Sequence, residues 1–221
     1  MTIEVKNLVK KYSRGGRQIE VLKGINLSVS TGEFISVTGR SGSGKSTMIN
    51  IIAGLTKPTS GNVFWDGKDI FAFSDEEISL YRNTTIGCVP QGHSALSSLT
   101  VLDNVRLPFH LAQHDGDSSE EASALLKQFH IETLADSLPK SLSGGELKRM
   151  AIARAMINKP GFLLVDEPTG DLDTQTTQVI MEIFRKAADE GTAILMITHD
   201  PDIVNYADKN FIMDNGVLTQ G

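Results

Sequence analysis

The chain has 221 residues and a formal net charge of −6, and this acidic balance argues against a nucleic-acid partner, which needs a basic face. Cys88 is the single cysteine, so an internal disulfide and a cysteine-based zinc site are excluded, and a cytosolic compartment is favoured. No apolar run approaches the roughly 18 residues of a membrane-spanning helix, so attachment to a membrane would depend on another protein.

The first quarter of the sequence predicts several strands and one helix. The helix runs from Lys45 to about Ala53, where Gly54 ends it. Residues 57–61, KPTSG, have the composition of a turn. Alternating or short apolar runs predict strands at residues 3–9, 21–29, 34–39 and 62–70.

The segment between the third strand and the helix reads GRSGSGKS, residues 39–46, and fits G-x-x-x-x-G-K-[ST] at every fixed position. Its glycines let the backbone turn N–H groups toward phosphates. Lys45 supplies a charge for the β- and γ-phosphates, and the Ser46 hydroxyl is a magnesium ligand. The alternative is a glycine-rich turn, but the strand before the loop and the helix after it favour a nucleotide site.

The middle region, roughly residues 90–158, changes from strands to helices. Ala122, Leu125, Leu126 and Phe129 recur with the spacing of one helix face. Ser118 with Glu121 predicts a capping box at the start of that helix.

LSGGE, residues 142–146, opens a second helix in this region. Ser143 with Glu146 is a capping box, and the two glycines between them leave backbone N–H groups bare, which suits an anion. The chain therefore has two candidate phosphate-binding helix starts.

The last third alternates strand and helix. FLLVD (162–166) and AILMIT (193–198) are buried-strand runs, with an amphipathic helix from Thr174 to Gly191 between them, so a parallel α/β sheet is predicted. Asp166 ends its strand where a Walker-B acid holds magnesium, although a strand-end acid is also an ordinary helix cap. Glu167 follows directly and is a candidate for polarising water.

With Lys45, LSGGE and Asp166 in this order, the chain resembles the nucleotide-binding subunits of ABC transporters over essentially its whole length. LSGGE is the most specific mark, since many NTPases share the P-loop. The resemblance implies one ABC cassette over residues 1–221: an α/β P-loop NTPase core with a parallel sheet, an N-terminal antiparallel β subdomain and a helical subdomain inserted at roughly 90–158. It implies ATP and Mg²⁺ as cofactors and ATP hydrolysis as the activity.

The same resemblance implies roles for individual residues. Glu167 is the general base, Gln91 in IGCVPQG reaches the magnesium and the attacking water, and His199 in ITHD contacts the γ-phosphate. Tyr12 stacks on adenine, and Asp173 in GDLD crosses between subunits. The implied magnesium ligands are Ser46, Gln91 and Asp166. The remaining nucleotide contacts are Gly39, Arg40, Ser41, Gly42, Ser43, Gly44, Lys45, Ser46, Thr47, Ser143 and Gly145.

Finer details resemble the lipoprotein-release and macrolide-efflux branch of these ATPases. The segments that carry this likeness are RGGRQIEVLKGINL, GLTKPTSG, SLTVLDNVRLP and DEPTGDLD. Pro90, Arg40 and Asp171 depart from the residues common in that branch, and none of these departures removes a catalytic group.

Two partners follow from the resemblance: an integral membrane permease and a second copy of the chain, paired head to tail with ATP between. The chain is then peripheral on the cytoplasmic face of the membrane, attached through its permease. One alternative is a cytosolic ABC ATPase of cell division, translation or DNA repair, which the lack of sustained heptads and of a second cassette disfavours. Another is a module that binds ATP without hydrolysis, which the presence of Glu167, Gln91 and His199 disfavours.

Overall fold

The computed structural model describes residues 1–92, 94–112, 114–170, 172–200 and 202–221. Over these residues the strands are β1 (Thr2–Arg14), β2 (Arg17–Ser30), β3 (Phe34–Thr38), β4 (Ser60–Trp65), β5 (Lys68–Asp69), β6 (Ile86–Val89), β7 (Phe162–Asp166), β8 (Ala193–Ile197), β9 (Lys209–Asp214) and β10 (Val217–Gln220). The helices are α1 (Lys45–Ile52), α2 (Asp75–Thr84), α3 (Val101–Leu111), α4 (Ser119–Gln128), α5 (Gly144–Met156) and α6 (Thr174–Asp189).

A six-stranded sheet with the order β10-β9-β3-β8-β7-β6 forms the centre of the fold. Its strands are parallel except for β10, which pairs antiparallel with β9. Because successive side chains of a strand point to opposite faces, Leu163 and Val165 pack in the apolar cluster with α6, whereas Phe162 and Leu164 pack in the cluster with α1. Both faces are therefore covered, and β7 is buried along its whole length.

A second, antiparallel sheet with the order β2-β1-β4-β5 packs on the α1 side of the central sheet. The long β1–β2 ribbon has irregular register at several points, including the step between Val5 and Leu8. Its inward residues Ile3, Val5 and Leu27 join the same apolar cluster as α1.

Helices α3, α4 and α5 pack against one another, and α5 also contacts β6. Their shared core contains Val105, Leu126, Phe129 and Met150. The parallel core, the antiparallel N-terminal sheet and the helical segment confirm the predicted fold class.

The sequence reasoning missed elements at two places. Helix α2 lies before the predicted helical region and packs against α3, but of its residues only Ile78 is buried, so the sequence there lacks a clear apolar stripe. Strands β9 and β10 were also not predicted. The boundary of an inserted helical subdomain at residues 90–158 stays a prediction.

The capping box predicted at Ser118 and Glu121 is wrong. Ser118 has backbone angles of −86° and 10°, outside the extended region that lets an N-cap side chain reach the third helical amide, and it makes no cap hydrogen bond. Asp117 instead accepts a hydrogen bond from the Ser119 amide at 3.0 Å, while the Ser118 hydroxyl accepts one from Arg106 Nε at 3.2 Å.

The fold brings the carboxyl ends of β3, β6, β7 and β8 to one edge of the central sheet, because these four strands are parallel and β8, β7 and β6 are adjacent. In open α/β sheets ligands bind in the crevice outside this edge. The phosphate loop, Gln91, Asp166, Glu167 and His199 all follow or end these strands.

Candidate active site

The phosphate loop between β3 and α1 has a backbone that only glycines adopt easily. Gly39, Gly42 and Gly44 have φ values of 146°, 79° and 109°. A Cβ atom on Gly39 would overlap the carbonyl oxygen of Met213, so the close approach of β9 also demands glycine there.

Lys45 is buried at the start of α1 and folds back over this loop. Its Nζ donates to the carbonyl oxygens of Gly39 at 2.7 Å and Arg40 at 3.0 Å. Arg40, Ser41 and Gly42 are exposed at the tip of the loop. The lysine charge thus lies against the loop, and the two carbonyls are its acceptors in this structure.

The remaining residues of the loop and of the first turn of α1 differ in burial and hydrogen bonding. The buried Ser43 hydroxyl has no hydrogen-bond partner among the described residues. Gly44 is the N-cap of α1, and Ser46 and Thr47 are half-buried in its first turn. The candidate phosphate and metal groups of this segment therefore converge on the start of α1.

Asp166 is the last residue of β7 and is only 4% exposed. Burial raises the pKa of its carboxyl, and the negative charge of Glu167 adds to this effect. A hydrogen bond from the Ser46 side chain and the charges of Lys45 and Lys148 oppose the shift. Among the described residues, Asp166 Oδ1 finds no hydrogen-bond partner. A buried carboxylate with one unsatisfied oxygen, next to a serine hydroxyl, fits the oxygen donor set that Mg²⁺ prefers.

Glu167 contacts two other segments of the chain, the one after β6 and the one at the end of β8. Its φ is 50°, which is unusual for a residue with a side chain, and its amide donates to the Ile197 carbonyl at 3.0 Å. Gln91 Nε2 donates to Glu167 Oε2 at 3.2 Å, and His199 Nδ1 lies 3.3 Å from Glu167 Oε1. Glu167 therefore contacts both of the other predicted catalytic residues.

Ser143 caps α5 as predicted. Its hydroxyl accepts a hydrogen bond from the Glu146 amide, and the Glu146 carboxylate accepts one from the Ser143 amide at 2.7 Å. The Ser143 hydroxyl also donates to the Glu146 carboxylate at 2.8 Å, and the bonds from the Ser143 amide and hydroxyl lower the pKa of that carboxyl. Asp173 caps α6 in the same way, accepting from the Thr176 amide at 2.9 Å and the Thr176 hydroxyl at 2.7 Å, and both bonds lower the pKa of Asp173.

The two caps face a common cavity of about 550 Å³. Its lining residues are Ser143, Gly144, Gly145, Arg149, Leu172, Asp173 and Thr176. No residue of the phosphate loop 39–47 is among them. Asp171, within the GDLD segment, lies outside the described residues.

Tyr12 lies on β1, far along the chain from the loop, with 42% of its surface exposed. Lys10 Nζ lies 4.9 Å from the centre of its ring. The exposed ring face is compatible with the predicted stacking on a base, but no contact in the structure tests it.

Two side chains missed by the sequence reasoning hold the segment after Gln91. Asn104, fully buried on α3, accepts from the Leu96 amide at 2.8 Å and donates to the carbonyls of Leu96, Leu99 and Thr100. Arg154 of α5 donates to both the carbonyl and the hydroxyl of Ser94. The sequence does carry a signal for Arg154, because a charged side chain inside the apolar helical run MAIARAM is unusual.

A glycine-rich loop between strand and helix, beside an acidic strand end, is the arrangement of P-loop nucleoside triphosphatases. Residues 22–170 match the ABC transporter family, and the chain belongs to that family. This confirms the resemblance, and the chain is an ATPase of the ABC type.

Similar proteins agree with the branch inferred from the sequence. The lipoprotein-releasing system ATP-binding protein LolD of Saccharophagus degradans is 38% identical over 99% of this chain and 96% of its own length. The macrolide export ATP-binding/permease protein MacB of Syntrophobacter fumaroxidans is 38% identical over 98% of this chain, which spans 31% of that relative. A dimeric post-hydrolysis structure of the ATP-binding cassette MJ0796, bound to ADP and Pi, matches with a TM-score of 0.95 and 37% identity, over 99% of this chain and 97% of that one.

Within the described residues no helix has both the length and the apolar character needed to cross a membrane.

The unsatisfied Asp166 carboxyl leads to a prediction about stability. In protein free of nucleotide and magnesium, Asp166→Asn should raise the free energy of unfolding at pH 7, because the folded state raises the pKa of this acid and so disfavours its charged form. The gain should fade as the pH falls through the raised folded-state pKa, and it should be absent below the unfolded-state value of about 3.9, where both states hold a neutral carboxyl.

Urea unfolding at several pH values measures this difference. Asp115→Asn, in an exposed loop, is the matched control and should change little at any pH. A loss of stability in Asp166→Asn at pH 7 would contradict the account.

Proposed function

We propose that this ATPase powers a separate integral membrane permease, and that Glu167, Gln91 and His199 form its hydrolytic centre. The observation that carries the proposal is the contact of Glu167 with both other side chains at the carboxyl edge of the sheet. The exposed face of His199 and the open loop tip leave this edge accessible to a substrate.

Binding of ATP uses the phosphate loop. Backbone N–H groups of the loop and of the start of α1 face the phosphates, and Lys45 exchanges its two carbonyl acceptors for phosphate oxygens. That exchange is favourable because hydrogen bonds between charged groups are stronger than bonds to neutral carbonyls. Tyr12 stacks on the adenine, with its exposed face as the support for this assignment.

Ser46, Asp166 and Gln91 would hold Mg²⁺. The support is the unsatisfied oxygen of Asp166 together with the neighbouring Ser46 hydroxyl. When bound, the ion neutralises charge on the β- and γ-phosphates.

Glu167 accepts the proton of the attacking water. Its two carboxylate oxygens are oriented separately, Oε2 by the Gln91 amide and Oε1 by the His199 ring, so the group is held in one orientation before substrate arrives. Because the backbone of Glu167 is left-handed, its side chain points in a different direction from the Asp166 side chain. Asp166 can therefore bind the metal while Glu167 contacts the attacking water.

Glu167→Gln should preserve ATP binding and lower hydrolysis by about 10²–10⁴-fold, since general-base catalysis contributes that much. Phosphate release and nucleotide retention measure the two effects. Glu182→Gln, exposed on α6, is the control and should hydrolyse ATP normally. Near-normal turnover in Glu167→Gln would assign water activation to another group.

Two copies of the chain complete each site. The cavity at Ser143 and Gly145 contains no phosphate-loop residue, and α5 packs against α3, α4 and β6, whereas α1 packs against β2 and β7. The second anion-binding helix start is therefore available to a nucleotide held by another copy. Two-fold symmetry then gives two identical composite sites, and the dimeric state of the similar cassette supports this arrangement.

Mixing two inactive variants tests the composite site. Lys45→Ala and Gly145→Asp should each be inactive alone. In a mixed dimer one site carries both lesions and the other carries neither, so free exchange should restore about a quarter of wild-type hydrolysis at most. Strict cooperation between the two sites would lower that rate, so ATP-dependent dimerisation is followed as well. If labelled subunits exchange and mixing restores neither hydrolysis nor dimerisation, the role of Ser143 and Gly145 in a shared site loses its support.

The permease docks in a groove of about 800 Å³ between α2 and the end of α3. Leu80 and Leu111 line it and are 57% and 63% exposed, so they offer apolar surface to a partner. Asp75 and Glu76 add negative charge at its rim. These features suit a short cytoplasmic helix with apolar and basic side chains. The likeness to a relative named as both ATP-binding protein and permease supports a permease as the partner. Attachment is then peripheral and on the cytoplasmic face.

Substitution in the groove should release the chain from membranes. We expect the double variant Leu80→Asp, Leu111→Asp to lose at least about tenfold in recovery with the membrane fraction of its own cells, because charges replace the apolar contact. Its basal hydrolysis should be retained. Val217→Asp, an exposed aliphatic residue of β10, is the control. Unchanged recovery of the groove variant would move docking to another surface.

A further inference from the structure

Arg154 stands in the last turn of α5, on the same helix whose first turn carries Ser143 and Gly145. Ser143 and Arg154 are separated by about 16 Å along the helix axis, at 1.5 Å per residue. Nη1 of Arg154 donates to the Ser94 carbonyl at 2.8 Å, and Nη2 of Arg154 donates to the Ser94 hydroxyl. Ser94 lies three residues after Gln91.

This guanidinium is held in an unusual way. It is part-buried, and burial lowers its pKa, yet its hydrogen bonds go to the neutral acceptors of Ser94, and no carboxylate pairs with it in the described residues. Burying a charge without a counter-charge is costly, and an apolar side chain of similar size would serve packing better. Stability alone therefore does not account for the arginine.

The Ser94 segment is fixed at its other end by Asn104, which bonds Leu96, Leu99 and Thr100. Arg154 thus holds the part of the segment nearest Gln91. It does so with two donors of one planar group, which sets the direction of the chain as well as its distance. The Gln91 amide, in turn, reaches Glu167 at 3.2 Å.

The end of α5 also contacts the groove. Asn158, just after the helix, donates to the Asn83 carbonyl at 2.7 Å, and Asn83 lines the groove between α2 and α3. Asn83 and Asn158 also line a cavity of about 140 Å³, together with Arg154 and Cys88. The end of α5 therefore contacts both α2 and Ser94.

We propose that Arg154 is a positioning residue for hydrolysis, which fixes Gln91 against Glu167 through Ser94. The proposal rests on the role of Gln91 given under the proposed function. Arg154 touches neither the phosphate loop nor Glu167, so its effect falls on the rate of the chemical step and not on ATP affinity.

A double-mutant cycle tests this proposal. Arg154→Lys keeps the charge but loses the planar pair of donors, and we expect kcat to fall about tenfold with KM for ATP changed less than about twofold, since small misplacement of a catalytic group has effects of this size. In the Gln91→Ala background the same substitution should change kcat by less than about twofold, because Gln91 is the group through which it acts.

Arg185→Lys is the control, since Arg185 also donates to a backbone carbonyl, that of Tyr206, away from Gln91. Arg185→Lys should change kcat by the same factor in the wild-type and in the Gln91→Ala background. Ser94→Ala, which removes one acceptor, repeats the cycle if Arg154→Lys does not fold, and its smaller loss of kcat should likewise vanish in Gln91→Ala.

The outcomes separate the two claims. If Gln91→Ala has no effect on kcat, the proposed role of Gln91 fails. If Gln91→Ala lowers kcat but the Arg154 or Ser94 effects multiply with it, Arg154 is only structural and the inference is overturned. A rise in KM without a fall in kcat would also overturn it.

Discussion

The parallel pairing of β6, β7 and β8 is the constraint on which the candidate site depends. Adjacent parallel strands end at the same edge of the sheet, so the residues that follow them meet: Gln91 after β6, Glu167 after β7 and His199 after β8. The hydrogen bond from the Glu167 amide to Ile197 fixes the offset between two of these strand ends. Gln91 and Glu167, 76 positions apart in the chain, thereby become hydrogen-bonding neighbours.

The helices between β6 and β7 connect this edge of the sheet with two other surfaces of the molecule. Helix α5 begins at the Ser143 cavity and ends beside Ser94 and the α2 groove, so one rigid element contacts the surface proposed for a second copy, the segment after Gln91 and the surface proposed for a permease. A helix with packed neighbours moves as a unit, because packed interiors do not deform continuously. In the proposed arrangement, ATP at one end and a permease at the other would therefore act on the same helix.

The sequence predicted the parts with strong local signals. FLLVD became β7 with the predicted bounds, because an entirely buried strand has an unbroken apolar run. Helix α2 was missed because its single buried residue, Ile78, leaves no periodicity. The contact of Gln91 with Glu167 depends on strand order, and the Arg154–Ser94 bonds depend on packing between distant segments, so neither has a local signature. The cap at Ser118 failed because Asp117, one residue earlier, bonds the backbone instead.

The central claim is that ATP joins two copies through the Ser143 helix start. The solution mass of Glu167→Gln with saturating ATP and Mg²⁺ tests it most directly, since hydrolysis no longer removes the bridging nucleotide. The account predicts twice the chain mass of 24.0 kDa, and a return to 24.0 kDa when Gly145→Asp is added. A mass of 24.0 kDa for Glu167→Gln with ATP demonstrably bound would contradict it.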